Sequence, residues 1–491
     1  MSEQFFLSFW TMLSPETFVL LFAGSVIGIV VGAIPGLNGG MLVALSLPLT
    51  FGWNPLNAIA LLVGQYVGSM TGGLVSATLL NIPGSPSNLM TTLDANPMAR
   101  DGKAERALQL GILASFIGGL VSWFALVLLS PPIARMALAL GPHEYFALVF
   151  AALMLISSLS SGSVIRALIA ATLGMLCALP GLDMVTGQPR LTFDFSAMLA
   201  GFDLLAVLVG VFAVTQLLDD TRPQLIAERF KVSSVRLQIG IKDLQRHGAN
   251  FMRSSLIGTW IGILPGVGGS VGSIVSYTVA RNFSKKPDEF GKGAEEGVVA
   301  SETANNATIG GALIPLVTMG IPGSVIDVIL IAALTLHNIR PGPLLFQTNP
   351  DIVYAFMSSM FIANLIVIAV MLMSIRWIAR VIDVPKAYLI SILLVFCVVG
   401  TFAVNNRMFD VWVMLAFGLI GLAFKYLRFP LPPFVIGFIL TPIAEGNLRA
   451  ALIASEGDWS DFVTRPLSGI LLLSSALILA MPLLRRRRSV V

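Results

Sequence analysis

Long apolar runs, interrupted at recurring intervals by proline and glycine, dominate the chain. Runs able to cross about 30 Å of hydrocarbon lie near 17–34, 55–82, 107–130, 144–160, 163–180 and 199–218. A second set lies near 254–280, 307–336, 352–375, 387–404, 409–426, 432–444 and 467–484. In lipid every backbone N–H and C=O must be satisfied within the segment, so these runs predict helices. Some are halves of hairpins, and the expectation is an all-α polytopic membrane bundle of about ten to twelve spans. Residues 219–253 are the polar stretch between the sets, with Arg222, Arg229, Lys231, Arg236, Lys242, Arg246 and Arg253. The chain thus reads as a first half (1–218), a basic connector (219–253) and a second half (254–491).

The interruptions repeat. GIVVGAIPGLNGG (28–40) matches GTWIGILPGVGGS (258–270), aligning Gly28, Gly32, Pro35, Gly36 and Gly39 with Gly258, Gly262, Pro265, Gly266 and Gly269. Downstream, Gly72-Gly73 and Ile82-Pro83-Gly84-Ser85 recur as Gly310-Gly311 and Ile321-Pro322-Gly323-Ser324, with a spacing one residue different. Two ordered motifs shared by both halves establish a duplication.

Proline removes a backbone N–H and clashes with the preceding turn, while glycine permits positive φ. A Pro-Gly pair inside an apolar run therefore frees amides and carbonyls, which survive at membrane depth only against protein or a watery cavity. Amides at a half-helix N-terminus carry partial positive charge and can hold a carboxylate without a buried arginine. At Gly28/Gly32 and Gly258/Gly262 close helix packing is the preferred reading. In PGLNGG, NIPGSPSN, PGVGGS and MGIPGS a binding role is preferred, because corresponding breaks in two halves mark transporter sites. The candidate substrate-binding residues are Pro35, Gly36, Asn38, Gly39, Gly40, Asn81, Pro83, Gly84, Ser85, Pro265, Gly266, Gly268, Gly269, Ser270, Thr318, Pro322, Gly323 and Ser324. Valine at Gly84 or Gly323 is expected to abolish transport while leaving membrane insertion intact.

Residues 292–311, KGAEEGVVASETANNATIGG, form the other unusual stretch. At helical spacing Glu302, Asn305 and Asn306 share a face that lines a cavity or coordinates a cation, in preference to a solvated loop and helix cap. Asp327, in an apolar run, joins them as an ion-coupling candidate. Positive flanks on both sides of 254–280 favour a re-entrant hairpin folded at Pro265-Gly266 over a single broken span.

Composition agrees: 56% of residues are hydrophobic and 11% charged, against roughly 25% charged in a soluble domain. The net charge is only +4, so the placement of charge matters more than its sum. Basic residues in the connector and at Arg485–Arg488 place both in the cytoplasm. The nearly uncharged N-terminus, with Glu3 and Glu16, is expected outside. The halves then begin on opposite sides, as inverted repeats do. Two cysteines and three scattered histidines (His143, His247, His337) assemble no metal site, and no cofactor is expected beyond a co-transported proton or sodium ion. The absence of a P-loop argues against an ATP-driven pump, and three dispersed histidines with no HExxH pattern argue against an intramembrane enzyme.

The chain resembles the large permease subunit of the tripartite tricarboxylate transporter family. The resemblance rests on AIPGLNGG, LPLTFGWNPLNAIALLVGQYVGSMTGG, LLNIPGSPS and LDANPMARDGKAERAL in the first half. In the second half it rests on ILPGVGG, FGKGAEEGVVASETANNATIGG, MGIPGS and PGPLLF. It implies a bacterial inner-membrane secondary transporter for organic carboxylates such as citrate, driven by an ion gradient. It also implies a small four-span membrane subunit and a periplasmic solute-binding protein as partners. The family's glycine-rich motifs fall on Pro35–Gly40, Asn81–Pro86, Pro265–Ser270 and Thr318–Ser324, and its acidic motif on Glu302, Asn305 and Asn306. Ser301, where the family commonly has proline, Asn38-Gly39 and Asp94-Ala95-Asn96 depart from the pattern. These departures bear on substrate choice. The leading expectation is secondary uptake of an organic polyanion, by either an elevator or a rocking movement. An anion channel lined by broken helices is the alternative, separable by saturable, binding-protein-dependent uptake.

Overall fold

The computed structural model describes residues 2–159, 163–183, 186–219, 239–381 and 386–488. Helix α1 (Ser2–Met12) precedes the first repeat, which comprises α2 (Pro15–Ala33), α3 (Gly39–Ser46), α4 (Pro55–Leu80), α5 (Leu89–Arg100) and α6 (Ala104–Leu138). Next come α7 (Pro142–Leu159), α8 (Val164–Cys177) and a small antiparallel ribbon pairing Gly181–Leu182 with Pro189–Arg190. Helices α9 (Leu204–Leu208) and α10 (Thr215–Asp219) flank a π-helical segment, Val209–Val214. The second repeat comprises α11 (Ile241–Ile263), α12 (Gly268–Phe283), α13 (Glu295–Met319), α14 (Val325–Leu336), the short α15 (Leu345–Thr348) and α16 (Pro350–Val381). Helices α17 (Lys386–Asn405), α18 (Met408–Tyr426), α19 (Leu431–Ala454), α20 (Asp461–Thr464) and α21 (Pro466–Arg488) complete the bundle. Of the expected connector, 220–238 lie outside the described residues, and 241–253 form the first half of α11.

Among the described residues six helices are long and apolar enough to cross a membrane: α2, α4, α6, α16, α18 and α19. Seven shorter apolar helices of 10–17 residues accompany them. The chain is therefore an all-α, multi-pass membrane protein, with several apolar runs cut to half length by their own breaks.

Local chemistry sets the cuts. Helix α2 stops at Ile34, in the extended conformation that precedes proline, and Gly36 (φ 93) turns the chain. Asn38 then caps α3, its Oδ1 accepting from the Met41 amide at 2.9 Å. Pro265 and Gly266 (φ 67) make the corresponding turn between α11 and α12. Helix α4 begins with Pro55 behind the Asn54 cap and ends on Asn81, in the left-handed conformation. Helix α13 ends the same way on Gly320, and Ser324 caps α14.

Each repeat opens with a helical hairpin. Helices α2 and α4 run side by side in the same direction: Thr17 donates to Asn57 at 2.7 Å near their starts, and Gly28 and Gly32 press on the Gln65 and Ser69 carbonyls further along. Helix α3 runs back, so that Gly39 meets Ser69 and Ser46 meets Gln65. In the second repeat Gly258 and Gly262 press on Ala304 and Thr308 of α13, and α12 returns past Ser301 and Ala300, which accept from Ser273 and Ser276. These glycines serve close packing.

The contacts also correct the alignment of the double glycines. Gly72 faces the Ile29 carbonyl and Gly311 faces that of Thr259, while Gly84 abuts Gly73 and Gly323 abuts Ala312. Gly72 is thus the counterpart of Gly311, and Gly73 of Ala312. The apparent one-residue difference in spacing came from pairing the wrong glycines. In the corrected register Tyr66 corresponds to Asn305, Val63 to Glu302, Ser85 to Ser324 and Asn88 to Asp327.

Helix α5 continues in the direction of α4, with Asn96 donating to the Thr78 carbonyl at 3.0 Å. Along α13 it runs the other way, Asn88 meeting Glu302 and Asp94 meeting Ala294. Helices α4 and α13 are therefore antiparallel, and the repeats are inverted. Both are buried along nearly their full lengths. The third long helices cross over: α6 packs on α13, with Gly118 against the Thr303 carbonyl, and α16 packs on α4. Trp123 of α6 donates to the Met357 carbonyl of α16 at 2.8 Å.

Candidate functional site

Four helix starts meet around the crossing of α4 and α13. A Cβ on Gly39 would lie 3.1 Å from Ile326, which puts the starts of α3 and α14 together. A Cβ on Gly269 would lie 3.1 Å from Ser87 and 2.9 Å from the Asn305 oxygen, which puts the start of α12 beside the turn that opens α5. Ile326 and Ser87 are counterparts in the corrected register, so the two pairs are related by the internal symmetry. Between them Thr71 donates to Asn306 at 3.0 Å, and Tyr66 and Ser324 share a 3.0 Å hydrogen bond across the repeats. Each pair directs the positive ends of two half-helices at a shared place.

Glu302 lies beside the α5–α12 pair, fully buried. Its carboxylate accepts from Thr91 at 2.5 Å, Asn88 at 3.0 Å and Ser115 at 3.2 Å. Two repeats and three helices thus converge on one acid. Glu302→Ala would strand three buried donors and is expected to lower stability by about 3–5 kcal/mol. Glu302→Gln keeps the shape and one acceptor, and its loss should be smaller when thermal unfolding of the full chain is measured.

Asp327 lies beside the α3–α14 pair, also fully buried. Neither carboxylate oxygen makes a hydrogen bond of ordinary geometry. Ser324, whose hydroxyl accepts from the Asp327 amide at 3.4 Å, is its polar neighbour. The register gives this asymmetry a simple form. One site has Glu302 on the long helix and Asn88 on the half-helix; the other has Val63 and Asp327. Each carries one buried acid, supplied from opposite elements.

A family model described as the Tripartite tricarboxylate transporter TctA family matches residues 18–436. The chain belongs to this family. An uncharacterized 52.8 kDa protein from the TAR-I ttuC' 3' region of Agrobacterium vitis is 35% identical over 485 residues, covering 98% of this chain and 97% of its own length. An uncharacterized protein from the TAR-II ttuC' 3' region of the same organism is 35% identical over 234 residues, 47% of this chain and 97% of its own. No solved structure matches.

In this TctA-family chain the sequence candidates divide by position. Gly39, Gly40, Gly268, Gly269, Ser270, Ser85 and Ser324 stand at or next to the converging helix starts. Pro35, Gly36, Pro265 and Gly266 make the hairpin turns behind them. Asn38 is occupied as a cap, and Asn81 is an exposed helix terminator. The Thr318 hydroxyl donates to its own helix at Ile314, 2.7 Å away. Pro83, Gly84, Pro322 and Gly323 belong to the turns that follow α4 and α13. A Cβ on Gly84 would lie 2.6 Å from the Gly73 Cα, and one on Gly323 2.7 Å from both the Ala312 Cα and the Gly262 carbonyl. Asn306 accepts from Thr71 and donates to the Glu302 carbonyl, so it serves the crossing itself.

Sequence reasoning passed over two polar clusters. Asp94 of α5 accepts from the Gly291, Gly293 and Ala294 amides at 2.8–2.9 Å and from the Tyr277 hydroxyl at 2.7 Å. It clamps the loop before α13 to the first repeat. Arg106 of α6 bonds Asp243 of α11 at 2.5 Å and Glu295 of α13 at 2.9 Å, with His247 3.3 Å from Glu295. The motif around Asp94 was visible; its partners, across the chain, were not.

Proposed function

We propose that the chain is the large membrane subunit of a secondary carrier that takes up an organic carboxylate across the bacterial inner membrane. The observation that carries this reading is the pairing of half-helix starts on both sides of the α4–α13 crossing, in an inverted repeat. Such starts hold carboxylates through backbone amides, and Gly39, Gly40, Gly268 and Gly269 add no Cβ of their own beside those amides. Tyr66, Asn305, Ser85 and Ser324 add neutral hydrogen-bonding groups. The two repeats then exchange access to the two sides. A small four-span membrane subunit and a periplasmic solute-binding protein complete the system, as the family resemblance implies.

Charge placement orients it. The first basic residue of the chain is Arg100, at the end of α5. Arg100, Lys103, Arg106, Lys242, Arg246, Lys285, Lys286 and Lys292 gather where α6, α11 and α13 start and α12 ends. By the positive-inside rule that end is cytoplasmic, as is the Arg485–Arg488 end of α21. The starts of α2 and α4 then face the periplasm.

Moving an anion inward against an inside-negative potential costs about 2.3 kcal/mol per charge per 100 mV, so a co-transported proton or sodium ion is required. One fully buried acid lies beside each pair of half-helix starts, Glu302 at one and Asp327 at the other. Uptake into proteoliposomes containing both membrane subunits, with the binding protein outside, tests the reading. Accumulation should saturate, depend on the binding protein and collapse with the ion gradients. Flux that neither saturates nor needs the binding protein would identify a channel instead. Uptake unchanged after both the proton and sodium gradients collapse would remove ion coupling.

A further inference from the structure

The two buried acids are differently provided for. Glu302 has three side-chain donors on its carboxylate. A cation placed there would compete with them for the carboxylate oxygens. Among the described residues Asp327 has no hydrogen bond of ordinary geometry on either oxygen, with Ser324 its neighbour in longer or bent contacts, within an equally buried site. An unpaired buried charge costs several kcal/mol, which a cation or proton at the carboxylate relieves. Asp327 could serve merely as the acidic member of a capping box with Ser324. That role requires its carboxylate to bond the Ser324 amide, and no such bond of ordinary geometry is present.

The surroundings single out the same residue. Helix α14 packs against α3, α4, α9, α13 and α19. Helices α3 and α9 contain no titratable side chain. Tyr66 of α4 is the titratable group beside Asp327, through Ser324. On α13, Glu302 is held by its donors and Glu295 by Arg106, while Glu296 sits in that helix's first turn with Glu295. On α19, Glu445 pairs with Arg190 and Arg449. His337 closes the far end of α14, and Arg340 lies beyond it. Among the described residues of these helices no cationic side chain is paired with Asp327.

We propose that the coupling cation binds at Asp327, between the start of α14 and α4, and that Glu302 is a fixed structural anion. This assignment rests on the transporter reading, but cation binding can be measured without any carboxylate. The ligand is a monovalent cation, either sodium held by the carboxylate with Ser324 and Tyr66 oxygens, or a proton forming one O–H bond on the carboxylate. The Tyr66–Ser324 bond joins the two repeats at this place, so occupancy would bear on the contact between them.

The experiment uses the full chain in lipid nanodiscs, as wild type, Asp327→Asn and Glu302→Gln. One arm adds sodium alone and reads binding of the radioactive ion and thermal stabilisation. The other varies pH and reads the carboxylic-acid carbonyl band in the infrared. We expect one of these signals in wild type, its loss in Asp327→Asn and its retention in Glu302→Gln. Survival in Asp327→Asn, loss in Glu302→Gln, or absence of both signals in wild type would overturn the assignment. If Asp327→Asn does not fold, Asp327→Glu must bind with altered affinity or a displaced titration midpoint; an unchanged signal would overturn it equally. In proteoliposomes, loss of one cation per turnover should lower the accumulation ratio roughly fiftyfold at 100 mV. A signal at Asp327 in a chain that moves no carboxylate would leave the site standing and refute the transport reading.

Discussion

Gly84→Val and Gly323→Val are expected to yield chains that insert into the membrane but do not assemble a stable bundle. Gly84 lies against the Gly32 carbonyl, the Gly73 Cα and the Ser76 hydroxyl, and Gly323 against Ala312 and the Gly262 carbonyl. Backbone atoms of two other segments lie within 2.7 Å at each site, so moving a side chain alone cannot admit a larger residue. Overpacking commonly costs about 1–3 kcal/mol even where neighbours can yield, and here the helices themselves would have to part. Yield, monodispersity in detergent and unfolding temperature are the measurements. Wild-type stability of either variant would refute the packing argument. Loss of transport by these variants would therefore say little about anion binding. Gly40 offers a cleaner probe, since its added Cβ would lie 3.3 Å from Asn38, 3.4 Å from Val325 and 3.9 Å from Ile326. Gly40→Ala should fold, and any transport defect would then reflect the start of α3.

Asp94→Ala is expected to produce the second large loss. One oxygen of this buried carboxylate accepts from three backbone amides and the other from Tyr277. Without it the loop between α12 and α13 keeps three amides with no acceptor, each costing about 1–3 kcal/mol if it stays buried. Relief by loop opening limits the total, and we expect a loss of roughly 3–5 kcal/mol. Limited proteolysis should show new cleavage around 284–294, together with a lower unfolding temperature. Asp94→Asn retains an acceptor oxygen but not the charge, and should fall between wild type and alanine. Protease resistance equal to wild type in Asp94→Ala would show that the clamp does not hold the loop.

The duplication was legible because its breaks demand rare local chemistry. Few residues can stand in for Pro-Gly at Pro35-Gly36 and Pro265-Gly266, so the turns stayed visible after the surrounding side chains had diverged. The hairpin at Pro265-Gly266 and the inversion were read from those breaks and from the charges flanking them; the hairpin at Pro35-Gly36 was not. Nor was the register, because two double glycines invite a pairing that only the contacts of Gly72 and Gly311 undo. That error also hid the relation of Val63 to Glu302 and of Tyr66 to Asn305, and with it the fact that the two acids come from opposite elements. The partners of Asp94 and Glu302 were illegible for another reason. Asp94 meets Gly291 across 197 positions and Glu302 meets Asn88 across 214, and hydropathy carries no information at such range. Candidates such as Asn38, Asn81 and Thr318 were polar for local reasons, to start, stop or cross-link a helix.

The crossing over of α6 and α16 has a consequence for how the molecule is made. Each half lends its longest helix to the other, so neither can complete its own packing while it is alone. The first half leaves the ribosome with α4 lacking α16 and α6 lacking α13, and must wait in the bilayer for the rest of the chain. In form this is a domain swap fused into one polypeptide. A forebear with a single repeat would have been an interlocked homodimer of opposed topology, and separating the halves today should return two fragments that are stable only when produced together.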